Sequence, residues 1–216
     1  MKKILIVLLV MLLAVSLAFS QFGIKGGINL GRFGGADKSL DPSDFDPSLT
    51  NLPKVDPTAR LGLTGGISYK IGLIAGLSIQ PEVLYTQKGS VYEIPLPVAL
   101  GGGSVKGTFK LDYVDIPVLV KFNLPMPVIS PYIEGGVSYS FLLSAKLKGE
   151  GPGGSNEIDM KDSMTKNDFS IIVGVGVELL ILDVNARYVI GKTKIFKDSD
   201  AKVFNQGIML TAGLRF

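Results

Sequence analysis

Lys25, Lys70, Lys121, Arg187 and Arg215 share one parity of a series of alternating segments with Glu82, Asp115, Glu134, Glu178 and Asp183. Three chemistries suit such a set. Paired carboxylates could act as an acid–base couple on a glycosidic bond. A string of acids and amines could carry ions or protons along a narrow path. Opposite charges enclosed together could also neutralise one another, because a buried charge left alone is costly. Five groups of each sign favour the last.

Other chemistry is poorly served. The chain has no His and no Cys, which removes Ser–His and Cys–His nucleophiles, disulfides and thiol reactions. The glycines Gly135, Gly136, Gly174 and Gly176 suit curvature and close packing. Gly174–Glu178 (GVGVE) lacks the Lys and the strand-to-helix setting of a phosphate loop. Asp41, Asp44 and Asp46 fall in DPSDFDPS, which lacks the Gly and closing Glu of a calcium loop and reads as a solvated Asp/Pro stretch. No catalytic residue, metal or cofactor is expected.

The elements that would position the charges are strands. Eight segments alternate with period two, and their apolar faces begin Phe22, Ile24, Ile28, Leu30 and end Ile208, Leu210, Ala212, Leu214, Phe216. The spacing predicts strands near 22–31, 60–70, 74–88, 108–123, 131–147, 168–180, 182–193 and 203–216. Each covers at least the roughly 9–11 residues a tilted membrane strand needs. Beyond the first twenty residues no apolar run approaches helix-spanning length. A closed barrel is the other way to satisfy a backbone in lipid.

Both ends of the chain agree with export. Lys2 and Lys3 precede the apolar run ILIVLLVMLLAV, and Ala18 and Ser20 stand at the −3 and −1 positions of a cleavage site. Residues 1–20 are expected to be a signal peptide and 21–216 a barrel domain. Without Lys2 and Lys3, 20 of the 22 basic residues face 19 acids, so nothing suggests a nucleic-acid surface. The alternating strand that ends on Leu214 and Phe216 resembles the signal read by the barrel-assembly machinery, an expected partner during biogenesis.

Connections alternate strictly between long and short. Long links fall near 32–59, 89–107, 148–167 and 192–202, and tight ones near 71–73, 124–130 and 180–181. Long extracellular loops and short periplasmic turns place both termini in the periplasm. Phe22, Tyr69, Phe122 and Phe216 then form one aromatic girdle, and Tyr85, Phe141, Phe169 and Phe204 the other.

The segments QPEVLYTQKGS, LDYVDIPVLVKF, FGIKGGINLGRF, YIEGGVSYSFLLSAK and DVNARYVIGKTKI resemble the outer-membrane β-barrel domain family of Bacteroidota and relatives, which includes PorT-like proteins. The resemblance implies the all-β, eight-stranded antiparallel up-and-down barrel and an integral outer-membrane location. It also implies one alternative role, as an accessory of type IX protein secretion with secretion-complex partners.

An eight-stranded barrel is wide enough only for side chains to fill it. A plugged, charge-paired lumen is therefore expected from Lys25, Glu82, Asp115, Lys121, Glu134, Glu178, Asp183, Arg187 and Arg215. Arg187 should meet Glu82 across the lumen, sharing with Asp115 or Asp183. Ile94, Leu96, Val98 and Leu100 form an apolar stretch in the second long loop, expected either to extend the strand pair, to dip into lipopolysaccharide, or to dock a partner. Two classes stand: a structural or adhesive barrel contacting outer-membrane lipid and lipopolysaccharide, and the secretion accessory. A diffusive pore is disfavoured by strand number. Phe216→Ala should impair membrane insertion in cells far more than it lowers the stability of pre-folded protein. Fractionation beside unfolding of the purified variant checks this, and wild-type insertion would refute it.

Overall fold

In a computed structural model the strands carry apolar side chains on the outside and polar ones within. The described residues are 21–39, 54–74, 76–95, 103–124, 126, 128–151, 154–197 and 201–216. The expected signal peptide, Asp41, Asp44, Asp46, Leu96, Val98 and Leu100 lie outside them. Among the described residues ten strands form: β1 (Phe22–Gly34), β2 (Thr58–Tyr69), β3 (Ile71–Gly72), β4 (Leu77–Pro95), β5 (Ser104–Asn123), β6 (Ile129–Gly151), β7 (Gly154–Asp159), β8 (Asn167–Leu179), β9 (Leu182–Gly191) and β10 (Phe204–Arg215).

Eight of them close a ring. Neighbours run β1–β2–β4–β5–β6–β8–β9–β10, all antiparallel, and β10 returns to β1 through Gly23↔Arg215 to Gly34↔Phe204. β3 continues β2 past Lys70 and pairs with β4, while β7 lies against β6. Closure leaves the ring no free edge, the condition for a sheet in lipid. Pro81 and Pro117 lack an N–H, and the β4–β5 ladder skips from Pro81↔Val118 to Leu84↔Asp115.

Alternation sorts the side chains. On β1, Ile24 is 54% exposed while Lys25 is 5% exposed. Leu61, Leu63, Val118, Val120, Ile133, Val175 and Leu210 all face out. In water this would be an untenable apolar surface, and in a bilayer it is the expected band. The girdle residues Phe122, Phe216, Tyr85, Phe141 and Phe169 are exposed on it. Among the described residues no helix is long and apolar enough to cross a membrane.

At the periplasmic end short connections join β3 to β4, β5 to β6 and β8 to β9. Gly76 takes φ 80°, and its missing Cβ leaves space against Asn123 O.

The extracellular end departs from expectation. β4, β5 and β6 continue past the outer girdle, so most of the expected 89–107 loop is paired strand, down to Pro95↔Ser104. Ile94 accordingly sits opposite Val105 in the ladder and is half-buried, not part of a free loop. The expected 148–167 loop contains β7, paired from Lys146↔Asp159 to Gly151↔Gly154. Glycine-rich composition hid these strands, although hairpins tolerate glycine where no lipid face must be covered.

Glu157 clasps this hairpin. It accepts hydrogen bonds from Lys110 Nζ at 2.8 Å and Lys146 Nζ at 2.9 Å. The bond from Lys110, then that from Lys146, holds its carboxyl down at about 2, below its ordinary 4.5. A depressed carboxyl pKa means its support is complete above the ordinary value and lost as pH falls through about 2. A carboxyl titration by nuclear magnetic resonance should show a midpoint near 2, rising toward 4.5 in the Lys110→Gln, Lys146→Gln double variant. An unshifted midpoint in wild type would refute the clasp.

Candidate functional site: a sealed, charge-paired lumen

Along β9 the inward side chains are Asp183, Asn185, Arg187 and Val189, and each partner strand supplies what that level needs. Arg187 is the largest fully buried side chain, 1% exposed. Its Nη1 donates to Glu82 Oε2 at 2.6 Å and its Nη2 to Glu82 Oε1 at 2.9 Å. The same guanidinium gives Nε to Glu134 Oε1 at 2.6 Å and Nη2 to Glu134 Oε2 at 3.2 Å. Two carboxylates each gripped in a fork fit the planar geometry of Arg and not that of Lys. Lys25 Nζ, 2.8 Å from Glu82 Oε1, makes the fourth member. Two cations thus balance two anions in one layer.

Nearer the periplasm lies a second group. Glu178 takes Lys70 at 2.9 Å and Arg215 at 2.7 Å, and Lys121 reaches both Asp183 at 2.9 Å and Glu178 at 3.3 Å. Tyr132 donates its hydroxyl to Asp183, and the Lys121 ammonium sits 3.7 Å from the centre of the Tyr132 ring.

Asp115 and Asp183 are not shared with Arg187. Asp183 belongs to the periplasmic group just described, and Asp115 to a third, outer group. There Lys88 Nζ lies 3.0 Å from Asp115 Oδ1 and 3.8 Å from Asp168 Oδ2, donates to Ser140 Oγ at 3.2 Å, and stands over the Tyr113 ring. The Asp115 contact is an ion pair without an aligned hydrogen bond, since that oxygen has no hydrogen-bond partner. The apolar trio Leu119, Ile172 and Val189 is also buried inside the ring.

Two glycines of GVGVE make the packing possible. A Cβ on Gly174 would stand 3.1 Å from Glu134 Oε1 and 3.0 Å from Arg187 Cγ. On Gly176 it would fall 2.3 Å from Tyr132 Cζ. Their role is to admit the Arg187–Glu134 pair and the Tyr132 ring into a narrow bore, a more specific one than curvature.

Above the charges sits an apolar cap. Phe33, Tyr92 and Phe109 pack with ring centres 5.3–6.3 Å apart. Leu111, Leu142, Met164, Ile195 and Val203 complete a buried cluster. Met164 and Phe196 form a bridge, and Thr165 N–H donates to Ile195 O at 2.7 Å, tying the 160–166 and 192–197 segments together. Beside Lys88, Asn29 and Asn205 a cavity of about 10 Å³ has room for one water. A concavity of about 880 Å³ is lined mostly by outward residues such as Ile28, Phe122 and Leu210, so it opens on the lipid face and not the lumen.

Lys88, Asp168, Tyr132 and the cap residues escape sequence reasoning. Lys88 and Asp168 sit at the ends of predicted strands, but on the inward parity, which was the available signal. Phe33, Tyr92 and Ile195 fall in predicted loops, and only their long-range contact reveals a core.

A closed eight-stranded ring with a lipid-facing exterior and a filled interior defines a small integral outer-membrane β-barrel. The chain belongs to the outer membrane protein beta-barrel domain family, whose family model matches residues 17–197. No curated protein matches it. Among solved structures it is similar to OprG from Pseudomonas aeruginosa, at 14% identity and TM-score 0.46, over 91% of this chain and 96% of that one. The neisserial surface protein NspA shows 14% identity and TM-score 0.44, over 90% and 97%. Ail of Yersinia pestis, solved in complex with the heparin analogue sucrose octasulfate, shows 16% identity and TM-score 0.41, over 91% and 98%.

Removing one partner of a buried ion pair costs about 3–5 kcal/mol. Glu82→Gln and Arg187→Gln should each destabilise the barrel by about that much, and the double variant should recover part of the loss through their coupling. Urea unfolding from lipid vesicles measures the cycle, and strictly additive losses would refute the pairing.

Proposed function

We propose that the protein is a closed outer-membrane barrel that acts through its extracellular face, as a structural or adhesive element, after export and removal of residues 1–20. The sealed lumen is the observation that carries this reading. Charges in three groups neutralise one another, and the cap of Phe33, Tyr92 and Phe109 lies across the outer end. A conducting path would need water where Arg187, Lys121 and Tyr113 are fully buried. No enzymatic role is assigned, because the paired carboxylates are shut away from any substrate. What remains available to a partner is the extended β4–β5–β6–β7 platform.

The PorT-like motifs QPEVLYTQKGS and LDYVDIPVLVKF support a second reading, in which the same platform engages a secretion complex. Mild crosslinking in cells followed by capture through a tag on the chain separates the two: recovered secretion components favour the accessory role. Purified protein in planar bilayers should give no large, steady conductance. A stable porin-like current would overturn the closed-lumen reading.

A further inference from the structure

Near the outer girdle some cations are ion-paired and others, among the described residues, are not. On the β5–β6–β7 side Lys110 and Lys146 share Glu157, and Lys148 meets Glu150. On the opposite side Arg32 of β1, Lys192 just past β9 and Lys202 just before β10 are exposed. Among the described residues these three have no ion-pair partner.

Registry gathers them around one girdle ring. Arg32 stands opposite Gln206, two residues from Phe204, and Gln206 stands opposite Ile190. Lys192 N–H donates to Phe169 O at 2.7 Å, which puts Lys192 between the strands that carry Phe169 and Phe204. Lys202 precedes Phe204 by two residues on the same outward parity. The acid beside it, Asp37, accepts a hydrogen bond at Oδ2 from the Lys202 backbone N–H at 2.7 Å. Tyr188, also exposed, donates its hydroxyl to Gln206 Oε1 at 3.4 Å, adding a polar edge to the patch.

We propose that Arg32, Lys192 and Lys202, set around Phe204 at the outer girdle, form a seat for the phosphate groups of an anionic outer-leaflet glycolipid. The girdle aromatics mark the depth at which hydrocarbon gives way to headgroups. Long basic side chains on a lipid-facing wall lay their stems on apolar surface and their charge among those headgroups. The Arg fork suits phosphate oxygens, and the two lysines supply point charges beside it. Each such charge shifts partition toward an anionic lipid by about fivefold. A soluble anion would have no reason to prefer a patch set beside lipid-exposed rings over the extracellular tips.

The test uses the full chain, folded in detergent, with diphosphorylated lipid A and its dephosphorylated form as probes. Retained lipid is read by native mass spectrometry and the heat-unfolding midpoint is read alongside. Wild type and a Lys110→Gln, Lys146→Gln control should retain the phosphorylated probe and unfold later with it. The Arg32→Gln, Lys192→Gln, Lys202→Gln triple variant should retain it about tenfold less or worse, with single variants between. Folding of every variant is verified by its heat-dependent gel migration, and if the triple fails to fold, the single variants decide. Equal retention by the variants overturns the proposal. So does equal retention of the dephosphorylated probe, or binding of a soluble sulfated oligosaccharide while lipid A is ignored.

Discussion

A wall one strand thick has no interior of its own, and the rest of the structure follows from that constraint. Every side chain of a barrel strand must face either lipid or bore. The lipid face can be met by Ile, Leu and Val alone. The bore is too narrow for bulk water, so each polar group placed there must find its partner in another strand. Arg187 shows the outcome: it makes four hydrogen bonds to two carboxylates, one from β4 and one from β6. A single guanidinium thereby ties three strands of the ring across the lumen.

The same logic explains why the glycines matter more than their number suggests. The Arg187–Glu134 pair leaves no volume for a β-carbon on the strand between them, where Gly174 stands, and the Tyr132 ring leaves none at Gly176. Side-chain charge and backbone bareness are two halves of one packing solution. This is close packing of the sort seen in any protein interior, achieved here with ion pairs in place of methyl groups.

The ring is legible in the chain because its signal is local. Period-two alternation marks all eight ring strands, and parity alone separates Lys25 from Ile24 or Arg187 from Tyr188. Girdle aromatics such as Phe122 and Phe169 are readable for the same reason. Pairing between charges is less legible. Parity places Asp115 and Glu134 equally well beside Arg187, and only the stagger between strands, which no single segment carries, assigns Glu134 to it and Asp115 to Lys88. The cap is illegible altogether. Phe33, Phe109 and Ile195 come from three distant segments with no shared period, and Gly-rich stretches such as Gly149–Gly154 read as loop even where β6 and β7 pair.

The cap also depends on the seam of the ring. Phe33 stands opposite Asn205 at the seam where β1 meets β10, and Val203 lies just beyond it. These residues are about 170 positions apart in the chain, and they become neighbours only when first and last strands join. Without that seam the cap lacks the contacts between its β1 and β10 sides. The seal is therefore a property of the closed ring, complete only with β1 and β10 paired.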